Sequence, residues 1–310
     1  WWCGWGCSCR EREEGGGGAA EPALFDLVIG SRGHTDGLFN RPRGLCPDPS
    51  ADRLYVLDWD GRIQCFAYDG RFLHGWRMPE VSKGKPEDLC LTPEGTILVA
   101  DTHYSRVMEF TLTGEEVRRF GSYGSGPGRF IYPVGICMDA EANIYVSEYG
   151  DNNRVQKFSR TGEYLRSIGG FGRGPGQFQR PSGIALGPEG LLYVTDAVNH
   201  RVQVFTTAGE LVRVMGTQGD GLGQFSYPYD VEFRQGEMYV LEYGNNRLQR
   251  LTPTGKGLAV LGGPGDGDGE FAGPWRFTVA EGRLYVSDTN NCRVVRLDRK
   301  STRLNSSHYS

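Results

Sequence analysis

A short apolar pattern that ends in an acidic residue recurs six times, and it limits the possible folds more than any other feature. The segments are LYVLD, ILVAD, IYVSE, LYVTD, MYVLE and LYVSD, and their last residues are Asp58, Asp101, Glu148, Asp196, Glu242 and Asp288. Successive acidic residues are 43, 47, 48, 46 and 46 positions apart. An arginine follows each of them within four to six residues: Arg62, Arg106, Arg154, Arg201, Arg247 and Arg293. A nearly constant period of this length indicates a repeat architecture.

Each repeat contains four short segments in which apolar residues alternate with polar ones. In the third repeat these segments are VGICMD, NIYVSE, RVQKFS and YLRSIG. Four short strands per repeat are typical of a β-propeller blade. A glycine stands between the third and fourth segments, as in Thr113-Gly114 and Thr161-Gly162, where a tight hairpin needs positive φ. The sequence therefore predicts an all-β, six-bladed propeller with four-stranded blades.

The sixth repeat lacks its fourth strand, and the start of the chain supplies a candidate for it. The segment FDLVI at Phe25–Ile29 matches the fourth strands of later repeats, such as YLRSI and LVRVM. We expect a strand over residues 24–30 to complete blade six beside the third strand, Arg293 to Leu297. This closure would leave no free sheet edge. Although 310 residues suggest about two domains by length, the repeat predicts one domain over residues 21–297.

The two ends of the chain do not share the repeat. Residues 1–20 contain three cysteines and a four-glycine run, which indicates a flexible linker or the remnant of a signal. Cys7 beside apolar residues resembles the end of a bacterial lipoprotein signal, although Trp5 stands where a small residue is expected. Residues 298–310 include DRKSTRLNSSH, which matches a translated sequencing adapter, and an ordinary polar tail is the alternative. The compartment stays open, with a preference for an exported or periplasmic protein carrying a lipid anchor.

Several motifs in the repeats resemble a known family. A proline opens the first strand, each second strand ends in V-x-[DE], an N-x-R-[VIL] turn follows, and G-x-G-x-F loops join the blades. In six copies over residues 24–297 this pattern is similar to NHL repeats, in particular to those of exported bacterial proteins. The resemblance implies a six-bladed propeller. It also implies possible activities, because related propellers include calcium-dependent lactonases and a zinc-dependent peptide lyase, and some animal NHL domains bind RNA.

One face of the predicted propeller carries the longer loops, and we expect the functional site there. These loops join the second and third strands and connect successive blades, whereas the opposite face has tight glycine hairpins. The first strands begin at the same face, where their charged residues are expected to meet around the central channel. Blade order predicts Arg276 next to Asp230, Arg43 next to Glu87, and Asp88 across the channel from Asp230. The candidate binding residues are Arg43, Trp59, Glu87, Asp88, His103, Tyr104, Tyr149, His200, Tyr229, Asp230, Tyr243, Trp275 and Arg276, with Tyr132 and Tyr227 nearby. Arginine with tyrosine and tryptophan is typical of binding hot spots. The alternatives are charge pairing at a solvated channel mouth and tyrosines that merely cover blade edges.

The residue types favour a binding or scaffold protein over an enzyme. The leading hypothesis is a monomer that presents the loop face to a protein or a small ligand, with no catalytic residue, metal or cofactor assigned. The alternative is a calcium-dependent hydrolase that uses Glu87, Asp88 and Asp230 as oxygen ligands, although two arginines would neutralise that site. A lyase of the zinc type needs several channel histidines, and only His103 and His200 lie on the loop face.

The charge of the chain argues against a nucleic-acid partner. Residues 21–297 carry 29 basic and 34 acidic side chains, and phosphate binding needs the opposite balance. The sequence also contains no apolar run of the roughly 20 residues that a membrane-spanning helix needs.

Three recurring features are interpreted as architecture. The acid–arginine pairs are expected to link neighbouring strands in every blade. Phenylalanines at the ends of the glycine-rich connections are expected to fix those loops between blades: Phe130, Phe178, Phe225 and Phe271. Cysteines at one first-strand position are expected to be small buried core residues: Cys46, Cys90 and Cys137.

Overall fold

The computed structural model describes residues 25–297, which form six four-stranded antiparallel sheets. The first strands of neighbouring sheets contact one another, so the sheets form the ring of a six-bladed propeller around a central channel. Within these residues the helical structure consists of two single 3₁₀ turns, Thr102–Tyr104 and Ala197–Asn199. In residues 25–297 no helix is long and apolar enough to cross a membrane. The predicted linker over residues 1–20 and the predicted artefact over residues 298–310 lie outside the described residues.

The strands are numbered in chain order, and each blade is given from its inner to its outer strand. Blade one contains β2 (Pro42–Asp48), β3 (Arg53–Asp58), β4 (Arg62–Ala67) and β5 (Phe72–Arg77); blade two contains β6 (Asp88–Leu91), β7 (Thr96–Asp101), β8 (Arg106–Thr111) and β9 (Glu116–Phe120). Blade three contains β10 (Tyr132–Met138), β11 (Ile144–Tyr149), β12 (Arg154–Phe158) and β13 (Tyr164–Ile168); blade four contains β14 (Pro181–Leu186), β15 (Leu192–Asp196), β16 (Arg201–Phe205) and β17 (Leu211–Met215). Blade five contains β18 (Pro228–Arg234), β19 (Glu237–Glu242), β20 (Arg247–Leu251) and β21 (Gly257–Leu261); blade six contains β24 (Phe277–Ala280), β25 (Arg283–Asp288), β26 (Arg293–Leu297) and β1 (Phe25–Ile29). A small parallel pair, β22 (Gly263–Pro264) and β23 (Glu270–Phe271), lies in the connection between blades five and six.

The first strand of the described chain closes the ring, as predicted. β1 pairs antiparallel with β26, so that Phe25 lies opposite Leu297 and Ile29 lies opposite Val294. Blade six is thus assembled from the two ends of residues 25–297. Because the outer strand of this blade comes from the other end of the chain, the ring is held closed by backbone hydrogen bonds.

The hydrophobic core lies between neighbouring blades. A second strand such as β11 is buried on both faces because each blade packs between two others. One cluster joins Ala100 and Val107 of blade two to Ile144 and Val146 of blade three, and five similar clusters follow around the ring. Burial on both faces explains why segments such as IYVSE contain consecutive apolar residues. Fourth strands, by contrast, are largely exposed and show weaker apolar patterns.

The glycine-rich connections are fixed between blades by phenylalanine, as predicted. Phe130, Phe178, Phe225 and Phe271 are fully buried, and Phe39 occupies the same position before blade one. Phe130 packs against the Phe158 ring with a centroid distance of 5.4 Å. These rings come so close to the preceding backbone that only glycine fits there, since a Cβ on Gly121 would lie 2.6 Å from the Phe130 ring.

The repeated acid–arginine pairs hold these connections to the blades and confirm the architectural interpretation. In blade three, Glu148 Oε1 lies 2.7 Å from Arg154 Nε, and its Oε2 accepts a hydrogen bond from the Ile131 N–H at 2.8 Å. Arg154 Nη2 donates to the carbonyl oxygens of Gly126 and Arg129, both at 3.0 Å. An ion pair at these positions occurs in all six blades. Because this contact is the same in all six blades, the candidates for function are the residues around the channel, which differ between blades.

Candidate functional site

The loop-side end of the channel, here called the mouth, is formed by equivalent positions of the six blades. One is the residue before the proline that opens each repeat, the next is the residue after that proline, and the third follows the acidic residue of the second strand. In blade one these positions hold Arg41, Arg43 and Trp59. Since these positions recur in all six repeats, the blades differ at the mouth in the side chains that they carry there.

Arg276 crosses the channel beneath the mouth and joins five blades. Its guanidinium donates to the carbonyl oxygens of Tyr229 at 2.5 Å and Val134 at 3.0 Å, and to Ser182 Oγ at 3.1 Å. It also lies 3.4 Å from Asp88 Oδ2 and 3.8 Å from Asp230 Oδ1. Only 2% of the residue is exposed. Arg276, which belongs to blade six, therefore ties blades two, three, four and five together.

Asp88 and Asp230 flank Arg276 and are also held by backbone groups of the next blade. Asp88 Oδ2 accepts a hydrogen bond from the Ile136 N–H at 3.2 Å, and Asp230 Oδ2 accepts one from the Phe277 N–H at 3.0 Å. Burial raises the pKa of Asp88 to about 6 and that of Asp230 to about 7, although Arg276 opposes both shifts. The sequence placed Arg276 beside Asp230 alone. The structure pairs it with both aspartates, and the pairs are buried rather than solvated.

A second buried ion pair lies between two tryptophans. Arg43 Nη1 is 2.7 Å from Glu87 Oε1, and both side chains are 7% exposed. The Arg43 guanidinium lies 4.2 Å from the ring centre of Trp59 and 4.1 Å from that of Trp275. A guanidinium between two aromatic faces gains cation–π attraction on both sides. This stacking fixes both indole rings at the mouth.

Tyrosines continue the aromatic surface from Trp275. Tyr229 lies 4.9 Å from Trp275 and stacks on Tyr243 at 4.8 Å. On the other side of the mouth Tyr149 stacks on Tyr132 at 5.0 Å, and the edge of His103 meets Tyr132. These contacts bring most of the predicted aromatic residues into one surface.

Arg180 connects the two aromatic groups and was not among the residues predicted from the sequence. Its guanidinium lies 5.0 Å from the ring centre of Tyr149 and 5.5 Å from that of Tyr229. Its backbone N–H donates to Asn153 Oδ1 at 2.7 Å, and its φ of 59° is left-handed. Arg180 precedes the proline of blade four, the position that Tyr132 and Tyr227 occupy in blades three and five. Comparison of that position across the repeats would have identified it.

Two predicted site residues serve other contacts. His200 Nδ1 accepts a hydrogen bond from the Tyr227 N–H at 3.1 Å, the role that Asn153 plays towards Arg180. Burial lowers the pKa of His200, consistent with a neutral acceptor. The Tyr104 hydroxyl accepts a hydrogen bond from the Lys83 N–H at 3.1 Å, in the connection between blades one and two. The structure therefore places His200 and Tyr104 in links between blades rather than in the aromatic surface.

A cavity of about 710 Å³ lies on the hairpin side of Arg276, inside the channel. Cys46, Cys90 and Cys137 line it, and Cys90 and Cys137 are only partly buried. The prediction that these three cysteines are purely core residues was therefore incomplete, because alternation along the first strands turns them towards the channel. Glu232 also lines the cavity, and burial raises its pKa to about 8. Burial likewise raises the pKa of the Cys90 thiol to about 12, so this thiol stays protonated.

The carboxylates at the mouth do not fit a calcium site. Glu87 is bonded to Arg43, while Asp88 and Asp230 flank Arg276, whose guanidinium occupies the space a cation would need. Within residues 25–297 no group of three or more His, Cys, Asp or Glu side chains is arranged to hold a metal ion. A lactonase-like calcium centre built from these residues would require Arg276 to leave the channel.

Comparisons with known proteins agree with this architecture. The family model for the NHL repeat matches residues 178–205 and 271–297. The chain is similar to a solved streptogramin B lyase structure, with 16% identity, a TM-score of 0.63, and coverage of 90% of this chain and 99% of the other. It is also similar to a gluconolactonase from Xanthomonas campestris, with 11% identity, a TM-score of 0.64, and coverage of 90% and 98%.

A third similar structure is described as a binding protein. It is an auxiliary nutrient binding protein from Bacteroides thetaiotaomicron, with 14% identity, a TM-score of 0.64, and coverage of 84% of this chain and 70% of the other. The comparison with curated proteins finds no match. At these identities the similar structures show the fold, and the fold hosts both enzymes and binding proteins.

Proposed function

Because the chain contains NHL repeats and folds as a six-bladed propeller, we propose that it is a non-catalytic binding protein that holds a small ligand or a segment of a partner protein at the mouth. The observation that carries the proposal is the continuous surface of aromatic rings and guanidinium groups from Trp59 to Tyr149. Rings of this kind contribute large contact areas at a low cost in side-chain entropy.

The rigidity of the mouth supports binding. Arg276 joins five blades beneath it, and Arg43 is fixed between two indole rings. A surface that is already ordered loses little conformational entropy when a ligand arrives. Arg43 and Arg276, which adjoin the aromatic surface, are paired with carboxylates, so they act as a support for the rings.

The test uses the fluorescence of Trp59 and Trp275, which lie in the proposed site. A library of small molecules and peptides is titrated into the whole protein, and the affinity of each hit is measured again with Tyr149→Ala and Tyr243→Ala. Both tyrosines are half-buried at the mouth. Tyr123→Ala is the matched control, because Tyr123 lies in a blade connection and is 73% exposed. We expect a loss of about tenfold or more in the two mouth variants. Unchanged affinity in both would refute the proposal.

A hydrolase is the second candidate, and one observation favours it. Carboxyl groups with pKa values of about 6 and 7, as at Asp88 and Asp230, are suited to proton transfer near neutral pH. The discriminating measurement is the turnover of lactone and ester substrates by the wild type and by Asp230→Asn, together with metal analysis and melting curves in EDTA and in calcium. Turnover that is lost in Asp230→Asn would replace the binding proposal with the enzymatic one.

A further inference from the structure

The residues that flank the repeat prolines at the mouth include more cations than carboxylates, although the chain as a whole carries a net charge of -4. The residue before each repeat proline and the two residues after it include five cationic side chains and three carboxylates: Arg41, Arg43, Lys85, Arg180 and Arg276, with Glu87, Asp88 and Asp230. A ring with excess positive charge in an acidic protein attracts anions locally.

The three carboxylates are already engaged by two of these cations. Glu87 is bonded to Arg43, and Asp88 and Asp230 flank Arg276. Glu87 also acts on Arg180 electrostatically, but from beyond ion-pair distance. Among the described residues, no carboxylate forms an ion pair with the Arg180 guanidinium. Arg41 and Lys85 likewise form no ion pair with a described carboxylate, and of these three cations Arg180 is the one that contacts both Tyr149 and Tyr229.

The tyrosines beside Arg180 do not neutralise it. Burial raises the pKa of both Tyr149 and Tyr229, so these phenols stay uncharged at neutral pH. Their rings hold the guanidinium by cation–π contact, and that contact leaves its N–H groups available. A guanidinium with free N–H groups in a fixed plane binds a carboxylate or a phosphate through two parallel hydrogen bonds.

From this arrangement we infer that the ligand of the mouth is a small organic anion and that Arg180 binds its carboxylate or phosphate group. The aromatic surface on either side of Arg180 accommodates an aromatic or other planar body attached to the anion. The inference rests on the proposed binding function and specifies its ligand class. Arg180 is the specificity-determining residue, whereas Arg43 and Arg276 keep their structural ion pairs.

The experiment compares benzoate, phenyl phosphate and the neutral analogue benzamide, titrated into the whole protein and followed by tryptophan fluorescence. We expect benzoate or phenyl phosphate to bind at least tenfold more tightly than benzamide. Arg180→Gln should remove that preference, and Arg180→Lys should keep part of it. Arg173→Gln is the matched control, because Arg173 is an exposed cation in the connection that leads to Arg180. The preference of benzoate over phenyl phosphate, or the reverse, identifies which anion the site takes.

Each outcome separates this inference from the proposed function. If benzamide and benzoate bind equally and Tyr149→Ala weakens both, the binding function stands and the anion inference is refuted. The inference is also refuted if Arg173→Gln removes the preference as fully as Arg180→Gln, or if no anion gives a saturable signal. In those cases the proposed binding function is tested by the library screen only. Since the Arg180 guanidinium hydrogen-bonds to no other described side chain, Arg180→Gln should lose only its cation–π contacts and melt close to the wild-type temperature, which shows that the variant is folded.

Discussion

Replacement of Arg276 by methionine tests the contact that joins the blades beneath the mouth. Methionine keeps much of the volume but removes the guanidinium, which reaches Val134, Ser182 and Tyr229 and lies beside Asp88 and Asp230. The variant therefore leaves two carboxyl groups at the channel without their cation. It also leaves two carbonyl oxygens without this donor.

The loss of unfolding free energy in Arg276→Met depends on whether the carboxyl groups of Asp88 and Asp230 are charged. Removing one partner of a buried ion pair typically costs about 3–5 kcal/mol, and we expect this loss at pH 8, where Asp88 and Asp230 are ionised in the wild type. Their pKa values of about 6 and 7 mean that both are largely protonated at pH 5. At pH 5 only the hydrogen bonds and packing of Arg276 are lost, which we put at about 1–3 kcal/mol.

The direction in which stability changes with pH follows from proton binding by the two aspartates. The aspartates have a higher pKa in the folded protein than in the unfolded chain, so the folded state binds more protons between about pH 4 and pH 7. Their contribution to stability is therefore present at low pH and is lost as the pH rises through 6 and 7. Without Arg276 the carboxylates are less well compensated, which makes this loss larger in the variant.

The assay is urea unfolding of wild type and Arg276→Met at pH 5 and pH 8, followed by circular dichroism. The control is the triple variant Asp88→Asn, Asp230→Asn, Arg276→Met, which should recover most of the loss at pH 8 because no uncompensated carboxylate remains. A loss below about 1 kcal/mol at pH 8, or a loss at pH 5 as large as that at pH 8, would show that Arg276 does not compensate these groups.

Three further predictions concern the cavity, the blade connections and the closure of the ring. In urea unfolding, Glu232→Gln should stabilise the protein by about 1–3 kcal/mol at pH 9 and have little effect at pH 5. The reason is that the raised pKa of about 8 makes ionisation of Glu232 unfavourable in the folded protein. An equal effect at both pH values would contradict this. Phe178→Ala should cost about 3–5 kcal/mol in the same assay, since Phe178 is fully buried between two blades, and a loss under 1 kcal/mol would refute its role. Deletion of β1 should expose the edge of β26 and lower the melting temperature, with aggregation seen by light scattering; a monomer of unchanged melting temperature would show that the closure is dispensable.

The fold was predictable because its determinants are local and repeated six times. The spacing of the acidic residues and the hairpin glycines define four strands per blade, and Gly114, Gly162, Gly209 and Gly255 have the positive φ that the turns require. The closure by β1 was also predictable, since FDLVI matches the missing strand. These inferences need only the pattern of one repeat and its copies.

The site was predictable only in part, because its contacts depend on how far long side chains reach. Blade order placed Arg43 near Glu87 and Arg276 near Asp230, and the structure contains both contacts. No sequence pattern shows that Arg276 extends across the channel to Val134. Arg180 was missed because it lies just before the first strand of blade four, although it holds the same repeat position as Tyr132.

The pairing of β1 with β26 also determines how the propeller can be held. Phe25 and Leu297 lie opposite each other at the hairpin face, whereas the mouth lies at the other face. A linker, tag or solid support joined at Phe25 or Leu297 is therefore attached at the face opposite the mouth. Immobilisation through Phe25 or Leu297 is thus suited to measuring ligand binding by surface-based methods, because neither attachment point lies between the ligand and the aromatic surface.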